Sequence, residues 1–296
     1  MQFSVPLLIA IMIFVFSSPK AAEDRLTIKS AGFSTPESVE YYAEKDVYLV
    51  GNINGSALDR DDNGFISMVA PDGRVIDLKW IDGGDTAIQL NAPKGLAING
   101  DILYVADLDQ VHFFRLPGGE QIRSVRIRNS SFLNGITPNP VGGVFVTDSG
   151  LEAGEGGMVS SGTDAVYEVT ASGKYRALLK DPKLGKPNGI VHSNGITTIV
   201  TMDTGEIASF TAGGKVSRLP RPASAGLDGL LLMDDGSYII SSWKSQSIYR
   251  LDTNGRYQVL ADDLEAPADL GFDSKRNLIL VPLFKKNEMV ALPYRP

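Results

Sequence analysis

The sequence predicts an all-β chain folded as a six-bladed β-propeller, with the ring closed by an N-terminal strand. The first observation is a repeat. The phrase Lys186-Pro187-Asn188-Gly189-Ile190 recurs in altered form as Pro36-Glu37-Ser38-Val39, Pro93-Lys94-Gly95-Leu96, Leu133-Asn134-Gly135-Ile136, Leu227-Asp228-Gly229-Leu230 and Pro267-Ala268-Asp269-Leu270. The second is its period. Taken at Glu37, Lys94, Asn134, Asn188, Asp228 and Ala268, the spacings are 57, 40, 54, 40 and 40 residues, and about 40 residues is what a four-stranded blade occupies. The third is composition: 31 Gly and 16 Pro without a long polar tract describe many short strands joined by tight turns.

The elements follow in order. Arg25-Leu26-Thr27-Ile28-Lys29 alternates polar and apolar residues, as a half-buried strand does, but has no blade of its own. The sixth repeat offers three strands, near Leu270–Phe272, Leu278–Leu283 and Met289–Pro293. Residues 25–29 are therefore expected to supply its fourth strand and leave no long open edge. Repeat one carries an insertion, Gly51–Asn63. At its end Asp59-Arg60-Asp61-Asp62-Asn63-Gly64 imitates a helix-loop-helix calcium loop, but its twelfth position is Ala70 rather than a bidentate Glu, so a polar turn is expected. Repeat two is the cleanest blade, with strands near Gly95–Ile98, Ile102–Ala106, Val111–Arg115 and Ser124–Ile127 and a hairpin signal at Asn99-Gly100. Repeat three holds the second insertion, Leu151–Asp164, whose glycines and serines suggest a mobile loop. Asn194-Gly195 and Asp235-Gly236 place the same turn in repeats four and five.

At 296 residues the chain suits one closed all-β domain, over residues 23–296. A formal net charge of −7 disfavours a nucleic-acid backbone as partner. The absence of cysteine excludes thiol catalysis, disulfides and thiolate metal sites. Residues 1–22 read as an export signal, with an apolar run, Val5–Phe16, too short to span a bilayer, followed by small and polar residues ending in Ala21-Ala22. No Lys or Arg precedes that run, so an uncleaved interfacial anchor is the alternative. A periplasmic or secreted protein is expected.

Each innermost strand of a propeller begins at one face of the ring and lines the central channel, so the six phrase positions should converge near the axis. Glu37, Asn134, Asn188 and Asp228 are oxygen donors. Two carboxylates and two carboxamides form a hard, doubly negative set that suits Ca²⁺ better than a transition metal. Asn-Gly and Asp-Gly also begin strands simply as turn residues, but four acceptors at equivalent positions of four blades favour a metal site. Lys94 would place a cation beside the metal, to hold a substrate carboxylate or pair with an acidic neighbour, or would reach away to solvent. Ala268 contributes no ligand, although Asp269 next to it could reach the axis.

These phrases, set on six blades, resemble the gluconolactonase, regucalcin and luciferin-regenerating enzyme family, and the chain looks most similar to its exported bacterial members. Paraoxonases and diisopropylfluorophosphatase are similar at greater distance. The resemblance covers the chain after residue 22. It implies a catalytic divalent ion, usually calcium, held by Glu37, Asn188 and Asp228, with Asn134 a ligand or a substrate contact, and hydrolysis of a lactone or phosphoester.

A second ring follows the second strand of each blade: Asn52, Asp107, Asp148, Asp203, Trp243 and Phe284. As function they would wall the pocket and set substrate choice, Trp243 by packing on a sugar or acyl chain. As structure, Asp and Asn end strands because they favour turns. His112, in a third strand, and His192, toward the far end of an inner strand, are not expected to be catalytic, and no Ser-His-Asp triad is expected. The expected chemistry is a calcium-dependent hydrolase of a small lactone or ester, with Ca²⁺ polarising the carbonyl and Asp228 the first choice of base, ahead of Asp148 and Asp203. The rival expectation is an exported propeller that binds a peptide or glycan around a structural metal.

Overall fold

The computed structural model describes residues 25–211, 214 and 216–295, so the expected export signal lies outside the described residues. Every regular element among them is a β-strand. The chain enters through β1 (Leu26–Ile28). Blade one holds β2 (Pro36–Tyr42), β3 (Val47–Asn52), β4 (Phe65–Val69) and β5 (Val75–Asp82), and blade two β6 (Pro93–Asn99), β7 (Ile102–Asp107), β8 (Gln110–Arg115) and β9 (Glu120–Arg126). Blade three is β10 (Leu133–Pro138), β11 (Val144–Asp148), β14 (Ala165–Val169) and β15 (Tyr175–Lys180), interrupted by a separate hairpin of β12 (Leu151–Gly154) and β13 (Gly157–Ser160). Blade four is β16 (Pro187–Ser193), β17 (Ile196–Thr201), β18 (Ile207–Thr211) and β19 (Val216–Leu219). Blade five is β20 (Leu227–Leu232), β21 (Tyr238–Ser242), β22 (Ser247–Leu251) and β23 (Tyr257–Ala261). Blade six is β24 (Gly271–Asp273), β25 (Leu278–Leu283), β26 (Glu288–Pro293) and, outermost, β1.

The six-bladed architecture and its closure are as the repeat predicts. Thr27 pairs with Val290 in an antiparallel ladder, so the first strand of the chain completes the last sheet. Two expectations need correction. The glycine- and serine-rich insertion of blade three is a paired hairpin, with Leu151 opposite Ser160 and Gly154 opposite Gly157, because Glu152-Ala153 and Met158-Val159 can alternate across a Glu155-Gly156 turn. The outer strand of blade two starts at Glu120, four residues before the expected Ser124. Its register shifts between Phe113 and Phe114, and that bulge lets the polar stretch Glu120–Arg123 pair on.

Burial falls from the axis outward, since an inner strand is covered by two neighbouring blades and an outer strand by little. In β6 Pro93–Ala97 are all buried, whereas in β9 only Val125 is. Six apolar clusters cement the six blade interfaces. Between blades two and three, for example, Tyr104 and Phe113 meet Val146 and Tyr167. Between blades six and one, Leu280 and Met289 meet Val50, Tyr48 and the buried Ile28 of β1. The ring has no hydrophobic centre, so its stability resides in these interfaces. Truncating Ile28 should therefore loosen the closure. We expect Ile28→Ala to cost about 2–5 kcal/mol, read as a lowered urea midpoint, while Lys29→Ala at the exposed residue just after this strand leaves it unchanged. Equal midpoints would show that β1 is dispensable.

Candidate metal centre

Each inner strand carries one extra residue at the repeated phrase. Pro93 pairs with Asp107 and Leu96 with Val105, so Lys94 and Gly95 face the single Ala106. The same shift falls between Leu133 and Ile136, Pro187 and Ile190, Leu227 and Leu230, and Pro36 and Ser38. In blade six Pro267 bridges Leu283 and Gly271 pairs with Leu280, which again leaves one residue over. Such a bulge takes a residue out of the ladder and re-aims its side chain. Repeated around the ring, it delivers Glu37, Lys94, Asn134, Asn188 and Asp228 to one end of the channel.

The glycine that follows is a packing residue, not the turn residue that its Asn-Gly or Asp-Gly setting suggests. Gly95, Gly135, Gly189 and Gly229 lie within strands, without positive φ. A Cβ on Gly135 would stand 2.4 Å from the Asn188 carbonyl oxygen, and one on Gly189 2.3 Å from that of Asp228. Each glycine thus lets the next inner strand press against its own. Hydroxyls satisfy the carbonyls left unpaired by the bulges, as buried acceptors require: Thr147 Oγ1 donates to Asn188 O at 2.8 Å and Ser241 Oγ to Ala268 O at 2.9 Å. Ser38 Oγ likewise donates to Lys94 O. Gly189→Ala should cost about 1–3 kcal/mol through overpacking and displace Asp228, so thermal stability and any cation binding should fall together. Unchanged binding would separate the glycine from the site.

Glu37, Asn134, Asn188 and Asp228 are each no more than 5% exposed. One oxygen of each is buried and accepts no hydrogen bond: Glu37 Oε2, Asn134 Oδ1, Asn188 Oδ1 and Asp228 Oδ1. The Asn134 amide is oriented by Nδ2, which donates to Ser149 Oγ at 3.1 Å, leaving Oδ1 to face the site. A buried acceptor without a donor costs about 1–3 kcal/mol, more when charged, and a cation among these four oxygens would remove that cost. The donor chemistry agrees with a hard divalent ion. Among the described residues no three or more His, Cys, Asp or Glu side chains gather as a metal cluster, so the set depends on its two carboxamides.

The electrostatics point the same way. Burial, then Asp228 and Asp269, raise the Glu37 carboxyl well above the usual range, with Lys94 opposing. Burial and Asp269 raise Asp228, and its neighbours Trp243 and Asn188 offset this in part. Glu37 in blade one and Asp228 in blade five sense each other across the channel, which marks convergence. Asp269 is pushed up to about 7 by burial. Glu40, one turn of the pleat deeper on β2, is pushed up to about 8 by burial and by Asp269. The repeat does not flag Glu40, because it lies outside the phrase, although its spacing of three from Glu37 across the bulge was readable.

Lys94 does not reach away to solvent. It is 1% exposed, Nζ donates to Ala92 O at 3.0 Å, and it stands 4.2 Å from the centre of the Phe132 ring. Burial lowers its ammonium to about 8 against the attraction of Asp107 and Glu37.

The second ring divides. Asn52, Asp107 and Asp148 are fully buried clamps on the loops that lead into inner strands. Asn52 Oδ1 accepts from Ser34 N at 3.0 Å, and Asp107 accepts from Asn91 N and Ala92 N, both at 2.8 Å. Asp148 Oδ1 accepts from Phe132 N and Gly150 N, both at 3.0 Å. Burial would raise Asp107, but His112, Lys94 and the Asn91 amide outweigh it and hold it at about 2. His112 links Asp107 (Nε2, 3.0 Å) to Ser124 (Nδ1, 2.8 Å), a chain the sequence did not lead one to expect. Its imidazole is fully buried, and Gln121 Nε2 contacts the same Nδ1 at 3.0 Å, so the chain braces blade two. Asp203 is exposed and pairs with Lys186 at 3.1 Å. Trp243 packs on Phe284 with ring centres 4.9 Å apart, and its buried indole N–H lies beside the Asp228 carboxylate without completing a hydrogen bond.

No family model matches the chain, and no curated protein matches it. Solved structures do. It is similar to a gluconolactonase of Xanthomonas campestris, with a TM-score of 0.71, 15% identity, and coverage of 93% of this chain and 91% of that one. A putative gluconolactonase matches with a TM-score of 0.69, 15% identity and 92% coverage of both chains. Virginiamycin B lyase from Staphylococcus aureus matches with a TM-score of 0.63, 16% identity, and coverage of 92% and 99%. At these identities the shared property is the propeller fold.

Proposed function

We propose that the chain is a calcium-dependent hydrolase of a small lactone or ester, with the cation held by Glu37, Asn134, Asn188 and Asp228. The observation that carries this reading is the set of four buried, unpartnered oxygens, one from each residue, at equivalent bulges of four blades. Likeness to gluconolactonase structures supports the lactone class. A bound Ca²⁺ would polarise the substrate carbonyl and stabilise the oxyanion that develops on attack.

The chain's own residues do the rest. Asp228 Oδ1 would help to hold the cation, while its second oxygen, Oδ2, takes the proton from the attacking water and returns it to the leaving alkoxide. Asn188 and Trp243, beside that carboxylate, hold its orientation. Glu37 and the two carboxamides fix the cation's place. Lys94 balances charge beside Glu37, which leaves Asp228 as the less compensated carboxylate and the better base. Asn52, Asp107 and Asp148 act at one remove, by holding the loops that carry Asn91, Ala92 and Phe132.

Calorimetric titration of metal-stripped protein with calcium, followed by a lactone and ester turnover screen with and without the ion, tests this. One tight site and calcium-dependent turnover are expected; no binding would end the reading. The near-complete burial of all four ligands favours one other reading, an exported binding module with a structural metal and no catalysis. Mn²⁺ in place of calcium distinguishes them, since water relaxation enhancement requires an exchangeable water on the ion.

No helix among the described residues is long and apolar enough to cross a membrane. Export to the periplasm or beyond stays part of the proposal, on the strength of residues 1–22.

A further inference from the structure

Among the described residues six apolar clusters serve the six blade interfaces, and a seventh serves none. It comprises Ile53, Ala57, Ala92, Leu108, Phe132 and Leu151, with Leu58 and Phe284 packed against it. These residues either follow a second strand or precede an inner strand, so all belong to the loops at the metal-centre end of the ring. Phe284 connects the cluster to Trp243, and Phe132 connects it to the Lys94 ammonium. Leu58, Trp243 and Phe284 keep part of their surface exposed there.

Outside the four site residues, most of the polar side chains that border this apolar cluster are already engaged. Asn52, Asp107 and Asp148 spend their oxygens on loop amides. Asp203 pairs with Lys186, and Asp109 takes both Arg60 and Arg126. Besides the four site oxygens, the buried polar atoms of these loops left without a partner are Asn63 Oδ1, Asp164 Oδ1, Ser245 Oγ and Trp243 Nε1, the last beside Asp228. A polyhydroxylated lactone would lose water from every ring hydroxyl on binding here and find few partners, whereas an alkyl chain would gain from each methylene buried.

Resting on the hydrolase reading above, we infer that the substrate is an apolar lactone or ester, its alkyl or aryl portion packed on Leu58, Trp243 and Phe284, rather than a sugar lactone. Trp243 and Phe284 are specificity-determining residues. Burial of each methylene strengthens binding about fourfold.

The test compares δ-dodecalactone, δ-valerolactone and glucono-δ-lactone on the calcium-loaded protein. In parallel, the hydrolysis-inert heptyl δ-lactam and its unsubstituted parent are titrated by tryptophan fluorescence, with Trp243→Phe as control for the signal of Trp80. We expect kcat/KM for the heptyl lactone to exceed that for δ-valerolactone by roughly tenfold or more, and the sugar lactone to fall below both. Phe284→Ala should raise KM for the heptyl lactone roughly tenfold, with a much smaller effect on δ-valerolactone. Leu58→Ser should do the same should Phe284→Ala fail to fold. Preference for glucono-δ-lactone with calcium-dependent turnover would overturn this inference and leave the hydrolase reading intact. Tight, chain-length-dependent lactam binding without turnover of any lactone would support the apolar site and overturn the hydrolase. Lactam binding independent of chain length would overturn the inference whatever the turnover.

Discussion

Asp228→Ala is expected to abolish calcium binding, and Asp228→Asn to separate binding from chemistry. The alanine variant removes a charged ligand from a site that has only two. Loss of a group that merely supports a ligand costs 10–100-fold in metal affinity, so loss of a direct carboxylate should cost about 100-fold or more. The asparagine variant keeps an oxygen donor at the same bulge of β20. It should bind calcium more weakly but still saturate at high calcium. Turnover at saturation should nevertheless fall by about 10²–10⁴, the usual contribution of a positioned base, because a carboxamide cannot take the proton from water. Full turnover of Asp228→Asn with calcium bound would remove Asp228 as the base and move attention to Asp269, the neighbouring half-buried carboxyl. Calorimetry and initial rates on the same preparations distinguish these outcomes.

The second large effect is the pH dependence of stability without metal. Glu37, Glu40, Asp228 and Asp269 all have carboxyls raised by burial, the first three also by Asp269, with Asp269 at about 7 and Glu40 at about 8. In the unfolded chain such groups titrate near 4. The folded state therefore binds more protons than the unfolded state across the interval between. The stability linked to these groups is fully present below pH about 4 and is lost as pH rises through about 7 and about 8. Chelator-treated protein should thus melt at progressively lower temperature from pH 5 to pH 9, as uncompensated negative charge accumulates around the channel. Calcium supplies the missing positive charge, so its stabilising shift should grow with pH. At a hundredfold excess over its dissociation constant the shift should reach roughly 5–10 °C. Glu37→Gln should flatten the metal-free pH profile and shrink the calcium shift together. Scanning calorimetry that finds no pH trend in the metal-free protein, or a calcium shift that falls with pH, would show that no cation belongs among these carboxylates.

By itself the sequence determined the architecture and which inner-strand residues occupy equivalent places in the ring. A phrase repeated at blade spacing is a direct trace of the fold, because each blade must return its chain to the axis at the same point. Glu37, Asn134, Asn188 and Asp228 were legible for the same reason: equivalent places in a ring must meet. The closing strand was legible because the sixth repeat lacked a partner that Leu26–Ile28 could supply.

Roles within those positions were decided by tertiary structure alone. Asp107 and Asp148 read alike as pocket residues or strand ends, and only the loop amides within 2.8–3.0 Å show how their oxygens are spent. The glycine in four of the phrases reads as a turn signal, yet its need for space comes from the carbonyl of the next blade, 39 or more residues away. Glu40, the Lys94 ammonium beneath Phe132, and the apolar cluster above them likewise depend on which loops meet across the ring. Local pattern specifies where a chain turns and which face it buries. Which side chain is left without a partner, and so is free for a ligand, depends on long-range neighbours that no single repeat contains.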